Sequence, residues 1–574
     1  MKNLEIAKIF FEIADILEIQ NVEWKPQAYR KAARSIEALS DDIEKIYQNK
    51  GQSGLEEISG IGENLARKIA QYIELGKIDE YERLKKTLPK GMQELMHVQG
   101  IGPKKAAKLY KELKITTLKK LETAARLGKI KKIQGFGKKS EQDILRGAAI
   151  AKKSQETMLL GDALLIAREI IQKLKTLNEI QKIEVAGSLR RRKETVRDID
   201  IIAASTNPKK VMDFFTTMPN VKTVLAHGNT KSAIILSNGI QADLRVIDKK
   251  AYGAALQYFS GNKDHNIKLR QIAIKKGYKL SEYGIFFAKT NKLVCSHTEK
   301  EVYQNLGMQY IAPELRENNG EIEAAQQKKL PELISYDAIC GDLHMHTKYS
   351  DGTNTPDEMI CAAIKMGYEY IAITDHSKSE YIANGMKENR LLKYISEIEK
   401  LKKKYSSKIK VFAGSEVSIL PNGELDYSNN YLKKLDWVVA SVHSGFKQTK
   451  QEMTQRILKA LNNKYVHTLG HPTGRLVNAR EPYDLDLAKI FQKAKEQKIA
   501  LEINASPQRL DLKDSHIKTA KEIGTKFVIN TDSHNENHLK FMEFGIAQAR
   551  RGWLEAKNVI NTLPLKKFEK EIAK

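Results

Sequence analysis

Seven short apolar runs between residues 340 and 534 each close on a polar residue able to bind a metal ion. The runs are CGDLHMH, YEYIAITDH, IKVFAGSE, WVVASVH, VHTLGH, IALEIN and KFVINTDSH, ending at 346, 376, 416, 443, 471, 504 and 534. Gaps of 27 to 40 residues between successive ends match a strand followed by a crossover helix. Parallel strands with every functional group at a C-terminal end describe a barrel with its site on that face. Residues 337–574 are therefore predicted to form a (β/α)7 barrel.

The donor set carries the chemistry. His344 and His346 alternate on one strand and so share a face, and Asp351 follows in the adjoining loop. His376, Glu416, His443 and His471 end the second to fifth strands, and Asp532 with His534 repeats the i, i+2 arrangement on the seventh. Nine such donors are too many for one ion and enough for two or three, and mixed nitrogen and oxygen ligands suit Zn²⁺, Mn²⁺ or Fe²⁺ better than Mg²⁺. Nine of the 13 histidines lie in residues 337–574. His467, His516 and His538 fall off the pattern and read as packing or surface residues.

The front of the chain is built differently. Residues 1–300 hold 56 basic and 35 acidic residues, a net of +21, whereas residues 301–574 hold 41 and 36, a net of +5. A basic section of this size points to a polyanion, most simply nucleic acid. ISGIGENLARKIAQYI, VQGIGPKKAAKLYKEL and IQGFGKKSEQDILRGA repeat a turn that opens a helix, with Gly60 and Gly62, Gly100 and Gly102, and Gly135 and Gly137 as the paired glycines. Such helix–hairpin–helix turns offer free N–H groups to a phosphate backbone without reading bases. The front is thus expected to be all-helical as far as residue 150.

In VAGSLRRRKETVRDIDIIAAS the Gly187–Ser188 turn follows a strand, and Asp198 and Asp200 share a face of the next. Asp243, in IQADLRV, lies on a later strand. Three converging carboxylates need cations, and two Mg²⁺ ions could clamp an attacking hydroxyl and a leaving pyrophosphate. Ser188 and Arg191 are placed to hold a triphosphate.

This pattern resembles the nucleotidyltransferase palm of the family X DNA polymerases. The segment AYGAALQYFSGNKDHNIKLR is similar to the family's thumb, and the likeness spans about residues 1–316. The resemblance implies that Tyr258, Phe259, Ser260 and Gly261 pack on the incoming sugar, that Asn266 reaches the base edge and that Arg270 meets the template strand. It makes WKPQAYRKAARSI a phosphate pocket with Lys25 and Tyr29, and Lys68 the counterpart of a lyase lysine. Trp24 and Asn64 depart from the animal pattern, so Lys68 reads as a phosphate contact. The C-terminal donors resemble the PHP (polymerase and histidinol phosphatase) family, which implies metal-dependent phosphoester hydrolysis.

The expected architecture is a small helical domain (1–85), a helix–hairpin–helix domain (86–150), an α/β palm (151–247), a thumb (248–316), a linker (317–336) and the PHP barrel (337–574). The expected protein is a gap-filling repair polymerase with its own 3′–5′ exonuclease and AP-endonuclease activity. It takes primed or gapped duplex DNA and dNTPs, and it is expected to be a monomer. The alternatives are a polymerase fused to a phosphatase for small esters, and a DNA-end scaffold. Cys295, Cys340 and Cys361 show no CxxC spacing, the first helix carries Glu5, Glu12, Asp15 and Glu18, and no run reaches membrane-spanning length. A cytoplasmic, membrane-free setting is the expectation.

Overall fold

The computed structural model describes residues 2–20, 22–38, 43–58, 60–87, 95, 98, 101–138, 140–142, 144–145, 148, 157–478 and 480–572. The chain divides into two compact units. One comprises Met1–Thr157, Ile171–Gly187 and Arg197–Tyr310; the other comprises Met158–Ile170, Ser188–Val196 and Ile311–Lys574.

The first unit opens with five helices, Lys2–Ile19, Lys25–Ala38, Ile43–Glu56, Glu63–Leu75 and Asp79–Thr87. Their apolar stripes meet in a core around Ile6, Phe10, Ile36 and Ile69. A second cluster around Leu109, Leu121 and Phe136 joins helices Pro103–Leu113 and Leu118–Arg126. Gly60 and Gly135 take φ of +86° and +88°, values that only glycine adopts freely. Gly62 and Gly102 then cap helices with no side-chain cap. Gly100 lies outside the described residues.

Strands are numbered in chain order. A short pair, β1 (Met158–Leu159) and β3 (Thr195–Val196), belongs to the second unit. The palm sheet holds β2 (Ile180–Val185), β4 (Asp198–Ser205), β5 (Val221–His227), β6 (Lys231–Leu236) and β7 (Gln241–Ile247) in the order β2-β4-β7-β6-β5. Only β4 and β7 are parallel, and their register sets Asp200 opposite Asp243. Beyond them β8 (Tyr278–Ser281), β9 (Gly284–Phe287) and β10 (Leu293–Cys295) form an antiparallel sheet.

The second unit carries seven parallel strands in sequential order: β11 (Gly341–Asp342), β12 (Tyr370–Ile373), β13 (Lys410–Ser418), β14 (Trp437–Ser441), β15 (Thr468–Leu469), β16 (Ala500–Asn504) and β17 (Phe527–Asn530). A bridge between Met345 and Ser533 links the first strand's extension to the last, so the barrel is nearly closed. Buried on both faces, the strands read as continuous apolar runs. The helix Leu565–Ile572 lays Phe568 on the Tyr370 ring, 4.4 Å between centroids, where Trp437 also packs.

Two features differ from the sequence reading. His344 and His346 lie beyond β11, and Asp532 and His534 beyond β17; the chain leaves regular pairing where donors must converge. His471 and Asp532 there take φ of +24° and +54°, strain of the kind held at functional sites. The 317–336 stretch contains a helix, Glu321–Gln326, that buries Ile322 and Ala325. Its polar composition hides this, because Glu321 is spent accepting the Asn318 and Asn319 N–H groups at 2.9 and 2.7 Å.

Candidate active sites

The palm aspartates meet because β4 and β7 run parallel. Asp200 stands opposite Asp243, and Asp198 lies two residues before it on the same face. Burial, then repulsion by Asp198 and Asp243, pushes the Asp200 carboxyl up to about 7. Burial and Asp243 likewise raise Asp198. Carboxyls raised by mutual repulsion are what bound cations would relieve, so the donors fit Mg²⁺. Lys231 Nζ lies 3.1 Å from Asp243 Oδ2, and Gln241 Nε2 donates to Asp243 Oδ1 at 2.7 Å. Gly187 has φ +56°, and a Cβ there would sit 2.0 Å from Asp200 Oδ2. Only glycine lets the turn pass that carboxylate.

Several residues expected at this site are engaged otherwise. Arg191 is nearly buried, and its Nε donates to Glu317 Oε1 at 2.9 Å. The Arg191 guanidinium is thus held by a carboxylate of its own chain. Ser188 lies in the same segment of the second unit. Asn266 Nδ2 donates to the Tyr258 and Gly261 carbonyls at 2.6 and 3.1 Å and so braces the turn. Tyr258 and Phe259 meet edge to face at 5.1 Å, and Ser260 is buried. Arg270 follows Asn266 by one helical turn and is half-buried. The Arg245 guanidinium, two residues beyond Asp243 on β7, covers the Phe259 ring at 4.4 Å; the same alternation that paired the aspartates pointed to it.

In the N-terminal helices Lys25 is exposed, but Tyr29 is only 3% exposed. Its hydroxyl donates to Glu80 at 3.1 Å, and its ring packs edge to face on Phe10 at 5.2 Å. Tyr29 is therefore a core residue and not a surface phosphate contact. Lys68 Nζ pairs with Glu80 Oε2 at 2.7 Å. Glu80 was not singled out from sequence.

The barrel rim gathers all nine expected donors. Three overlapping groups place their ligand atoms within 4.8 Å of one another: His346, Asp351, His376 and His534; His344, His346 and Glu416; and His376, Glu416 and His443. His471 Nε2 joins through Glu416 Oε1 at 2.9 Å, and Asp532 Oδ1 lies 3.1 Å from His346 Nε2. The His344 Nε2 and His346 Nδ1 atoms are buried without a hydrogen-bond partner. Inward-facing nitrogens of this kind fit metal ions.

The charges of the donors are strongly coupled. Burial, His376 and His534 hold the His346 ring down to about 3, and so neutral and able to ligate. Burial opposes ionisation of Asp351, yet His534, His346 and His376 bring it down to about 2. Burial would likewise lower His534, but Asp351 and Asp532 raise it to about 9.

A second layer orients these donors. His344 Nδ1 lies 2.7 Å from Glu502 Oε1, and Glu502 Oε2 accepts the His471 N–H at 2.7 Å. Such carboxylate–histidine pairs fix the ring and its tautomer. Asp375 accepts from Thr347 N, Thr347 Oγ1 and Ser350 Oγ at 2.8, 2.7 and 2.6 Å, fixing the turn before Asp351. Sequence reasoning missed Glu502; the available signal was an acid in the middle of the apolar run IALEIN. His467 packs on Trp437 at 4.9 Å and His538 on Phe541 at 4.6 Å, as expected of histidines off the rim.

With this geometry in hand, comparison with known proteins defines the class. Residues 1–78 match the helix–hairpin–helix domain family, 92–149 the SAM-like helix–hairpin–helix tandem, 255–317 the DNA polymerase beta thumb and 342–506 the PHP domain. The chain belongs to the family X DNA polymerases that carry a C-terminal PHP domain. It is 40% identical over 572 residues, 99% of each chain, to the DNA polymerase/3′-5′ exonuclease PolX of Bacillus subtilis (strain 168). Probable phosphatases match a smaller part. One from Thermoanaerobacter sp. (strain X514) is 29% identical, covering 38% of this chain and 89% of its own. One from Caldicellulosiruptor bescii is 31% identical, covering 34% and 79%.

Proposed function

We propose that this DNA polymerase and 3′–5′ exonuclease fills short gaps in damaged DNA and trims the primer end with its barrel. The observation that carries the reading is the presence of two separate donor sets on one chain: three aspartates on the palm sheet and nine histidines and carboxylates on the barrel rim.

At the palm, Asp198, Asp200 and Asp243 would hold two Mg²⁺ ions, which supply charge neutralisation for transfer of a nucleotide from dNTP to the primer. Gly187 keeps the backbone close to Asp200, and the Tyr258–Gly261 turn, braced by Asn266, offers the sugar a flat wall. At the rim, the nine donors would hold two or three Zn²⁺ or Mn²⁺ ions, which activate water against phosphorus. Glu502 keeps the His344 ring aimed inward, and Asp375 fixes the Asp351 turn. Uncapped helix N-termini at Gly62 and Gly102 suit phosphate groups of gapped or primed duplex DNA.

The reading assigns residues 1–85 and 86–150 to DNA binding, 151–247 and 248–316 to palm and thumb, and 337–574 to nuclease chemistry. It includes AP-site incision at the rim and a monomer acting in the cytoplasm. Among the described residues no helix is long and apolar enough to cross a membrane. The phosphatase likeness over the C-terminal third supports a second reading, hydrolysis of small phosphate esters at the rim.

A gapped duplex with a labelled primer tests both. Asp198→Ala with Asp200→Ala abolishes extension and spares 3′ shortening, and His344→Ala with His346→Ala does the converse. Loss of both activities in either variant would overturn the two-site reading. Turnover of a free sugar phosphate as fast as of DNA would favour the second.

A further inference from the structure

The chain leaves the rim after His376 and returns at Met386 through a loop that its own hydrogen bonds close. Met386 N donates to the His376 carbonyl at 2.9 Å, and Gly385 N to the Glu380 carbonyl at 2.9 Å. Ser379 N donates to Asp426 Oδ2 at 2.7 Å, and Asn384 Nδ2 to the Ser350 carbonyl at 3.3 Å. A Cβ on Gly385 would sit 2.0 Å from the Ser377 carbonyl oxygen, so the neck of the loop is tight. Of the loop's two charged residues, Lys378 pairs with Glu388 at 2.6 Å, and Glu380 approaches the metal donors, its Oε1 3.6 Å from His443 Nδ1.

The next two residues are open to solvent. Tyr381 is 81% exposed, and Ile382 is exposed in full. Scattered apolar residues on a surface need no explanation. An aromatic and a β-branched side chain side by side on a braced loop, one residue from a contact with the donor set, do. Both present apolar surface to water on a loop that its own hydrogen bonds hold.

We propose that Tyr381 and Ile382 form a stacking site for the unpaired 3′-terminal bases of a DNA strand entering the barrel's donor set. The proposal rests on the reading of that set as the exonuclease site. An aromatic ring accepts any base, because every base has a π face, which suits an exonuclease indifferent to sequence. A neighbouring apolar wedge separates stacked bases. Presented on a loop closed by its own hydrogen bonds, the pair meets the strand at a reduced ordering cost. The occupant is thus a frayed or mismatched 3′ end, and the site selects for unpaired termini.

The test uses the full chain with Mn²⁺ and compares Tyr381→Ala with Ile382→Ala, Tyr381→Trp and His344→Ala with His346→Ala. Substrates are a single-stranded oligonucleotide and bis(p-nitrophenyl) phosphate, which has no base to stack. The alanine pair is expected to lose about tenfold or more in kcat/KM on the oligonucleotide, mostly through KM. Its hydrolysis of the ester stays unchanged, and Tyr381→Trp retains wild-type degradation. Unchanged degradation by the alanine pair, beside an inactive His344 variant, overturns the stacking site alone. Equal losses on both substrates overturn it as well, since the loop would then be merely structural. Degradation that survives in the His344 variant overturns the exonuclease assignment, and the stacking site with it.

Discussion

Glu502 is fully buried, 2.7 Å from the Nδ1 atom of His344. Burial opposes its charge, but His344 holds it below the usual carboxylate range. The ion pair leaves the His344 Nε2 atom facing the other donors. Glu502→Gln keeps the shape and removes the charge. It is expected to lower metal affinity about 10- to 100-fold, read as a shift in the Mn²⁺ concentration that gives half-maximal exonuclease activity, with extension unchanged. Eight of the nine rim donors were legible because they close apolar runs, and Asp351 because it follows the first run in its adjoining loop. Glu502 and Asp375 were passed over, because an acid inside an apolar run gives only a faint signal beside the run's liganding end. Tyr29 failed for the opposite reason: a family motif gives a residue's place in the chain, not the core that forms around it.

The elements that join the chain's modules carry more structure than their composition shows. Glu314, on the short helical turn Pro313–Leu315, accepts from Arg550 Nε at 2.7 Å and from the Tyr336 hydroxyl at 3.0 Å. Arg550 belongs to the helix Met542–Arg551. Burial would raise Glu314, but Arg550 outweighs it and the carboxyl lies below its ordinary value. A depressed carboxyl contributes stability that is present above the unfolded value near 4.5 and lost as pH falls through the folded one. Glu314→Gln is therefore expected to cost about 3 kcal/mol at pH 7, and the gap from wild type narrows below about pH 4.5. Urea unfolding of both proteins at pH 7 and pH 4, followed by tryptophan fluorescence, checks this; a gap that widens in acid would contradict it.

For the whole molecule, the order of the modules was readable from charge and motif spacing, and the nearly closed seven-stranded barrel from the regular return of strand ends. What spacing alone could not supply was departure from ideal strands, since His344, His346, Asp532 and His534 all lie past the ends of β11 and β17. The account's central claim is that two cation-holding centres work independently on one chain. Metal content per chain, measured by mass spectrometry on wild type and on His344→Ala with His346→Ala, tests it most directly. The account predicts two or three tightly held transition-metal ions in the wild type, their loss in the variant, and unimpaired primer extension by that variant in Mg²⁺. A wild type holding fewer than one ion per chain, or a variant holding as many as the wild type, would contradict it.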